Sequence, residues 1–261
     1  MKVIHSIGER WTRNQVEALA RHGIIVTEDV LSYIDVEPAQ FELIKDIVLP
    51  FRPIHSIGAV FGRDDLDGAQ WLALTALRVF GYPQPELHFD VSQVYETSNR
   101  CEKCGLNRGR QVRPFRIKSD KTALEAFQLE WIYDEVFVKR TFYEEMFEPL
   151  GIGSWPVLIH RSGEESGSVV QLDLPEPDWN FDMKGMRTED CLECSQSKYV
   201  VRPMGFLPPP NGGPPNSIFR GREFYGSGAQ ALKRIYLSQE IRQEFLNRRI
   251  AKWHQFYPLA E

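Results

Sequence analysis

No run of apolar residues in this chain approaches the roughly 18 that a membrane-spanning helix needs, so no span is expected. The opening stretch, MKVIHSIGERWTRNQ, has no apolar h-region because Glu9 and Arg10 interrupt it, so no signal peptide is expected either. The default expectation is therefore a cytoplasmic protein. A surplus of positive charge is missing too. The formal net charge of −5 argues against wholesale binding to nucleic acid or acidic membranes, while leaving room for a local basic patch. Catalytic signatures are also absent: there is no nucleophile elbow, P-loop, H-E-x-x-H or G-x-G-x-x-G pattern, and no enzyme is read. Asp134-Glu135 near Trp131, or His88 and His160, could serve as acid or base, but adjacent carboxylates at a turn or strand end are expected at the surface.

Cysteine is scarce, and all four copies fall in two C-x-x-C pairs, Cys101/Cys104 and Cys191/Cys194. Reduced cytoplasmic thiols favour metal binding over disulfides. Residues 105 to 190 separate the pairs, far more than the roughly 15–20 of compact zinc modules. The physical demand is only that four thiolates come within about 2.3 Å of one ion in a tetrahedron, which a long insertion permits if the knuckles meet. Two disulfides, or two redox motifs, stay open as alternatives. A redox motif usually opens a helix, whereas Gly105, Asn107 and Gly109 follow the first pair here. The expected cofactor is one structural Zn2+ held by Cys101, Cys104, Cys191 and Cys194, with iron an alternative for the same donors.

The cysteine pairs sit in longer echoes. VRPF at Val112–Phe115 follows the first, and VRPM at Val201–Met204 follows the second. VFVKRTFYEEMF at Val136–Phe147 lines up with IYLSQEIRQEFL at Ile235–Leu246, each with three apolar residues leading into a helix-period segment. Trp155-Pro156-Val157 and Tyr257-Pro258-Leu259 close the two series. Their common order reads as a duplication, with copies near 92–160 and 183–259. The zinc is then expected where the copies meet. IHSIG also occurs twice, at Ile4–Gly8 and Ile54–Gly58; the paired histidines His5 and His55 read as parts of short strands rather than as ligands.

The expected class is α+β: two pseudo-repeated knuckle, strand, helix and strand units joined by one four-cysteine zinc site, with an N-terminal α+β extension. A boundary near residue 90 separates 1–90, with its IHSIG repeat, from the duplicated 91–261. Periodicity predicts helices near 13–21, 38–48, 65–80, 140–149 and 229–249. Strands are predicted near 3–7, 53–57, 92–96, 112–116, 127–133, 156–160, 168–174, 198–204 and 256–259. Leu207–Asn216 and Arg161–Ser168 read as loops, and Trp71, Trp131 and Trp253 as core.

The cysteine spacing, Gly105 after the first pair, and the segments LEWIYDEVFVKRTF and RIYLSQEIRQEFL resemble the bacterial double-CXXCG motif proteins over roughly 60–261. Ser195 stands where that name has its second glycine. Some members of that family look like immunity proteins encoded beside polymorphic toxins. The resemblance therefore implies a zinc-stabilised protein that neutralises a cognate toxin by binding it. The alternative is a zinc-ribbon nucleic-acid binder. Between Arg100 and Lys121 the basic residues Arg100, Lys103, Arg108, Arg110, Arg113, Arg116, Lys118 and Lys121 face only Glu102 and Asp120, and Arg108, Arg110, Arg113, Arg116 and Lys118 are the expected phosphate contacts. A solvated charged loop beside the anionic thiolates is the plainer reading of that segment.

Overall fold

A computed structural model describes residues 1–106, 109–199, 204–228 and 231–260 of the chain. It is mixed α and β, with three sheets and few helices. None of the described helices is long and apolar enough to cross a membrane. Two compact units are present: Met1–Asp65 with Arg202–Leu207, and Leu66–Val201 with Pro208–Glu261. The first therefore ends ahead of the residue-90 boundary read from the sequence.

The first unit runs β1 (Lys2–Arg10), α1 (Arg13–Ala20), β2 (Leu31–Val36), α2 (Pro38–Val48) and β3 (Ile54–Val60), and α3 (Arg63–Gly68) begins in it. Its sheet has the order β2-β1-β3, with both neighbours antiparallel to β1. The two IHSIG copies are thus adjacent strands, with His5 opposite Ile57 and Ile7 opposite His55. Local chemistry sets the helix starts. Thr12 caps α1 in a reciprocal box with Gln15, and Pro38 supplies a preset φ at the head of α2. Alternate strand residues Ile7, Ile34 and Val36 turn inward to meet Trp11, Leu19, Phe41, Ile44 and Val48.

The second unit holds two sheets. One has the order β6-β7-β9-β8-β5, from β5 (Arg116–Ile117), β6 (Ala126–Leu129), β7 (Ile132–Lys139), β8 (Gly153–Ile159) and β9 (Glu165–Asp173). The other has the order β10-β11-β12-β13-β4-β14, from β4 (Trp71–Leu74), β10 (Thr188–Asp190), β11 (Ser197–Tyr199), β12 (Ile218–Tyr225), β13 (Leu232–Ser238) and β14 (Phe256–Pro258). A helical segment follows β7 at once, α4 (Arg140–Phe142) running into a π-turn over Tyr143–Phe147; likewise α5 (Gln239–Asn247) follows β13, capped by Ser238.

The strand sets β6-β7-β9-β8 and β12-β13-β4-β14 agree in order and direction, each neighbour being antiparallel. The register agrees as well. Phe137 faces Gln171, and Trp155 faces Gln171 from the other side; Tyr236 faces Ala73, and Tyr257 faces Ala73 from the other side. Pro156 opposite Val170 matches Pro258 opposite Leu72. β4 precedes the first cysteine pair yet lies between β13 and β14, and β9 precedes the second pair yet lies between β7 and β8.

Several expected elements differ. The helix over 65–80 is only the short α3 followed by β4, because a strand covered on both sides is apolar without alternation and its run WLAL mimics a helix face. Of the helix over 229–249, residues 229 and 230 lie outside the described residues, and the described helix begins at Gln239, after β13. The strand over 92–96 is a 3-10 turn, Val91–Gln93, then a lone bridge from Tyr95 to Gln111. The strand over 112–116 shrinks to β5, and that over 127–133 is the hairpin β6–β7, turned at Trp131 with φ 68°. β9 begins at Glu165, inside the supposed loop over 161–168. Of 198–204, residues 200 to 203 lie outside the described residues. Trp131 and Trp253 are exposed rather than core, and Trp71 is half-buried with its ring edge-on to Phe219 at 5.6 Å.

Asp134 and Glu135 are buried, not surface. Glu135 sits inside a polar network. It accepts from the Tyr95 hydroxyl at 2.5 Å, from Gln171 Nε2 at 2.9 Å and from the Arg220 guanidinium, which thereby links β7 to β12. Arg220 also donates to Glu176 at 2.9 Å, and Lys233 Nζ reaches Glu176 at 2.7 Å. Buried charge is tolerable only when paired and hydrogen-bonded in this way.

Candidate metal centre

Each C-x-x-C pair folds into the same tight turn. In the first, Gly105 N–H donates to the Cys101 carbonyl at 2.8 Å and Cys101 N–H to the Leu106 carbonyl at 2.9 Å. In the second, Ser195 N–H donates to the Cys191 carbonyl at 2.9 Å and Cys191 N–H to the Gln196 carbonyl at 3.0 Å. Both turns need a left-handed residue after the second cysteine, met by Gly105 (φ 71°) and by Ser195 (φ 58°).

The two turns bring all four sulfurs within 4.8 Å of one another. Cys101 Sγ lies 3.8 Å from Cys191 Sγ, and Cys104 Sγ lies 3.6 Å from Cys194 Sγ. A tetrahedral ion with bonds of about 2.3 Å puts its ligand sulfurs about 3.8 Å apart, so the spacing suits one shared ion. Bonded sulfurs would be about 2.05 Å apart, and all four cysteines are free. The disulfide alternative is thereby removed. Among the described residues, this is the group of His, Cys, Asp and Glu side chains placed to hold a metal.

Its surroundings are dry on one side and charged on the other. Leu106, Phe224 and Ala231 pack on the cysteines, with Cys104 and Cys191 buried and Cys101 and Cys194 half-buried. Backbone N–H groups of Cys194 and Glu193 aimed at the Cys191 sulfur pull that thiol down to about 6. Cys194 is pushed up to about 12. The Gln196 N–H favours its thiolate, but burial and the three neighbouring sulfurs outweigh that. Lys198, buried on β11, donates to Glu189 at 2.6 Å; that bond, and the Cys104 and Cys191 sulfurs, raise its pKa. Its charge would offset the excess that four thiolates leave on a bound divalent ion. Sequence reasoning missed Lys198, and its place ahead of Tyr199 on a short strand beside the second knuckle is the one signal that could have found it.

Arg110 lies 3.9 Å from Glu96, and Lys103 lies 3.8 Å from Glu193 of the other knuckle. Arg113, Arg116 and Lys118 are exposed, and Arg113 and Arg116 line a cavity of about 550 Å³ with His160. Arg108 lies outside the described residues. His88 is exposed and outside this cavity lining. His5 Nδ1 and His55 Nε2 are 3.0 Å apart, stacked with Phe41 in the first unit.

No protein-family model matches this chain, and no curated protein or solved structure matches it either.

Proposed function

We propose that the four cysteines hold one structural zinc ion and that the protein is a binding protein of the immunity type, blocking a cognate bacterial toxin by direct contact. The observation that carries the metal half is the meeting of two like knuckles with their sulfurs at tetrahedral spacing. Four thiolates fill a zinc coordination sphere, leaving no position for water or substrate, which suits a scaffold rather than a catalyst. The resemblance to double-CXXCG proteins supplies the toxin-binding half. The matched registers of the two sheets, and the shared left-handed turns, support a duplicated origin for the two halves.

Elemental analysis of the purified protein tests the metal. One zinc per chain is expected, and sub-stoichiometric zinc and iron with reactive thiols would remove it. Co-purification with the product of a neighbouring gene tests the partner: a stable complex is expected, and none with any neighbour's product would overturn the immunity reading. Binding of nucleic acid through the basic segment is the second reading, favoured by the exposure of Arg113, Arg116 and Lys118. It stands second because Arg110 lies beside Glu96 and the chain is net acidic. A salt-sensitive gel shift with generic DNA or RNA would promote it.

A further inference from the structure

The cavity of about 550 Å³ in the second unit is large enough for a small ligand. Its frame is backbone-bonded on several sides. Arg113 N–H donates to Val94 at 3.1 Å, Gln84 N–H to the Arg116 carbonyl at 2.9 Å, and His160 N–H to Ile117 at 2.9 Å, while Arg116 pairs in register with Leu158 of β8. The charge of the lining is one-sided. It carries two guanidiniums, Arg113 and Arg116, and no carboxylate. Neither arginine has an acidic partner among the described residues, unlike Arg140, Arg220, Arg242 and Arg248 elsewhere in the unit. His160 also lines the cavity, although its Nδ1 is buried away from that space and has no hydrogen-bond partner among the described residues. Two forked cations match the oxygens of a doubly charged oxyanion. The rest of the lining is of another kind: the amides of Gln84 and Gln93, and the apolar surfaces of Val94 and Leu158, suit an uncharged body attached to that anion.

We infer that this cavity binds a small phosphomonoester of about mononucleotide size, its phosphate held by Arg113 and Arg116. The site is separate from the cysteine centre and does not depend on the metal or on the toxin-binding reading. A phosphate dianion uses both guanidiniums, and the amide and apolar walls receive the body of the ester.

Isothermal titration of the metal-loaded full chain at fixed ionic strength tests this, with AMP, adenosine, inorganic phosphate and a single-stranded 12-mer as probes. AMP is expected to bind saturably with a sub-millimolar dissociation constant, adenosine at least about 10-fold more weakly, and phosphate to compete with AMP. The pair Arg113→Gln with Arg116→Gln is expected to weaken AMP at least about 10-fold, two charge-assisted contacts being lost, while Arg140→Gln leaves it unchanged. Both arginines are exposed, and the adenosine and phosphate arms read the wild-type chain, so the result does not hang on how the variants fold. No saturation by AMP, equal binding of adenosine, or undiminished AMP binding in the double variant would overturn the inference. So would a 12-mer that binds where AMP does not, which assigns the arginines to nucleic acid.

Discussion

Gly105 and Ser195 occupy the same turn position in the two knuckles, with φ of 71° and 58°. Only one of them suits that conformation. A side chain in the left-handed region costs roughly 1–2 kcal/mol, while replacing it by glycine returns about 0.4–1 kcal/mol to unfolded-chain entropy. Gly105→Ala is therefore expected to destabilise the metal-loaded protein by about 1 kcal/mol, and Ser195→Gly to stabilise it by about 0.5 kcal/mol. Urea denaturation of both variants reads the difference. Shifts of the same sign would mean that the two turns are not equivalent.

Removing any one thiol should release the ion. Cys104→Ser and Cys191→Ser are each expected to lower metal affinity by more than about 100-fold, since even groups beyond the ligands cost 10–100-fold. Lys198→Met, which leaves every thiol in place but deletes the buried ammonium beside Cys104 and Cys191, is expected to cost about 10-fold. Competition with a chromogenic zinc chelator measures all three, and an unchanged affinity in Lys198→Met would remove its supporting role.

The Glu135–Arg220 pair calls for a double-mutant cycle. Glu135→Leu leaves a buried guanidinium short of a carboxylate and is expected to cost about 3–5 kcal/mol, while Arg220→Met strands the carboxylate at similar cost. The double variant should lose much less than the two losses combined, because an apolar pair strands neither charge. Additive losses in urea denaturation would mean that the pair does not link β7 to β12.

Glu176 gives the protein an acid-sensitive contact. Burial alone would raise its pKa, but the charges of Arg220 and Lys233 outweigh burial and hold it below the usual 4.5. A carboxyl with a lowered folded pKa adds stability above the unfolded value of 4.5, and this is lost as pH falls through the folded pKa. Glu176→Gln should therefore reduce the melting temperature at pH 7 and flatten its decline below pH 4.5. Parallel wild-type and variant curves from pH 7 to pH 3 would contradict that assignment.

What the sequence made legible follows from which forces are local. The cysteine pairs and the helix-period segments after β7 and β13 carry their signals within a few residues, and their order along the chain already suggested a repeated plan. β4 was hidden because it is covered on both sides, so Trp71–Leu74 reads equally well as a helix face. β12 was hidden because Arg220, Arg222 and Glu223 interrupt its pattern, and their partners come from distant segments: Arg220 meets Glu135 and Glu176, and Glu223 accepts from Phe181 N–H. The surface reading of Asp134-Glu135 failed for the same reason. A carboxylate can be buried when a remote cation meets it, and that cation lies far along the chain.

The remote pairing of β4 also bears on how the protein is made. β4 leaves the ribosome well before its two hydrogen-bonding neighbours, β13 and β14, have been translated. Until they emerge, the backbone donors and acceptors of Trp71–Leu74 have no native partners, and a bare apolar strand edge invites mispairing. Synthesis therefore imposes a waiting period on this segment, which a holding chaperone or rapid elongation would shorten in effect. Chains stalled short of residue 232 should be the aggregation-prone species in the cell.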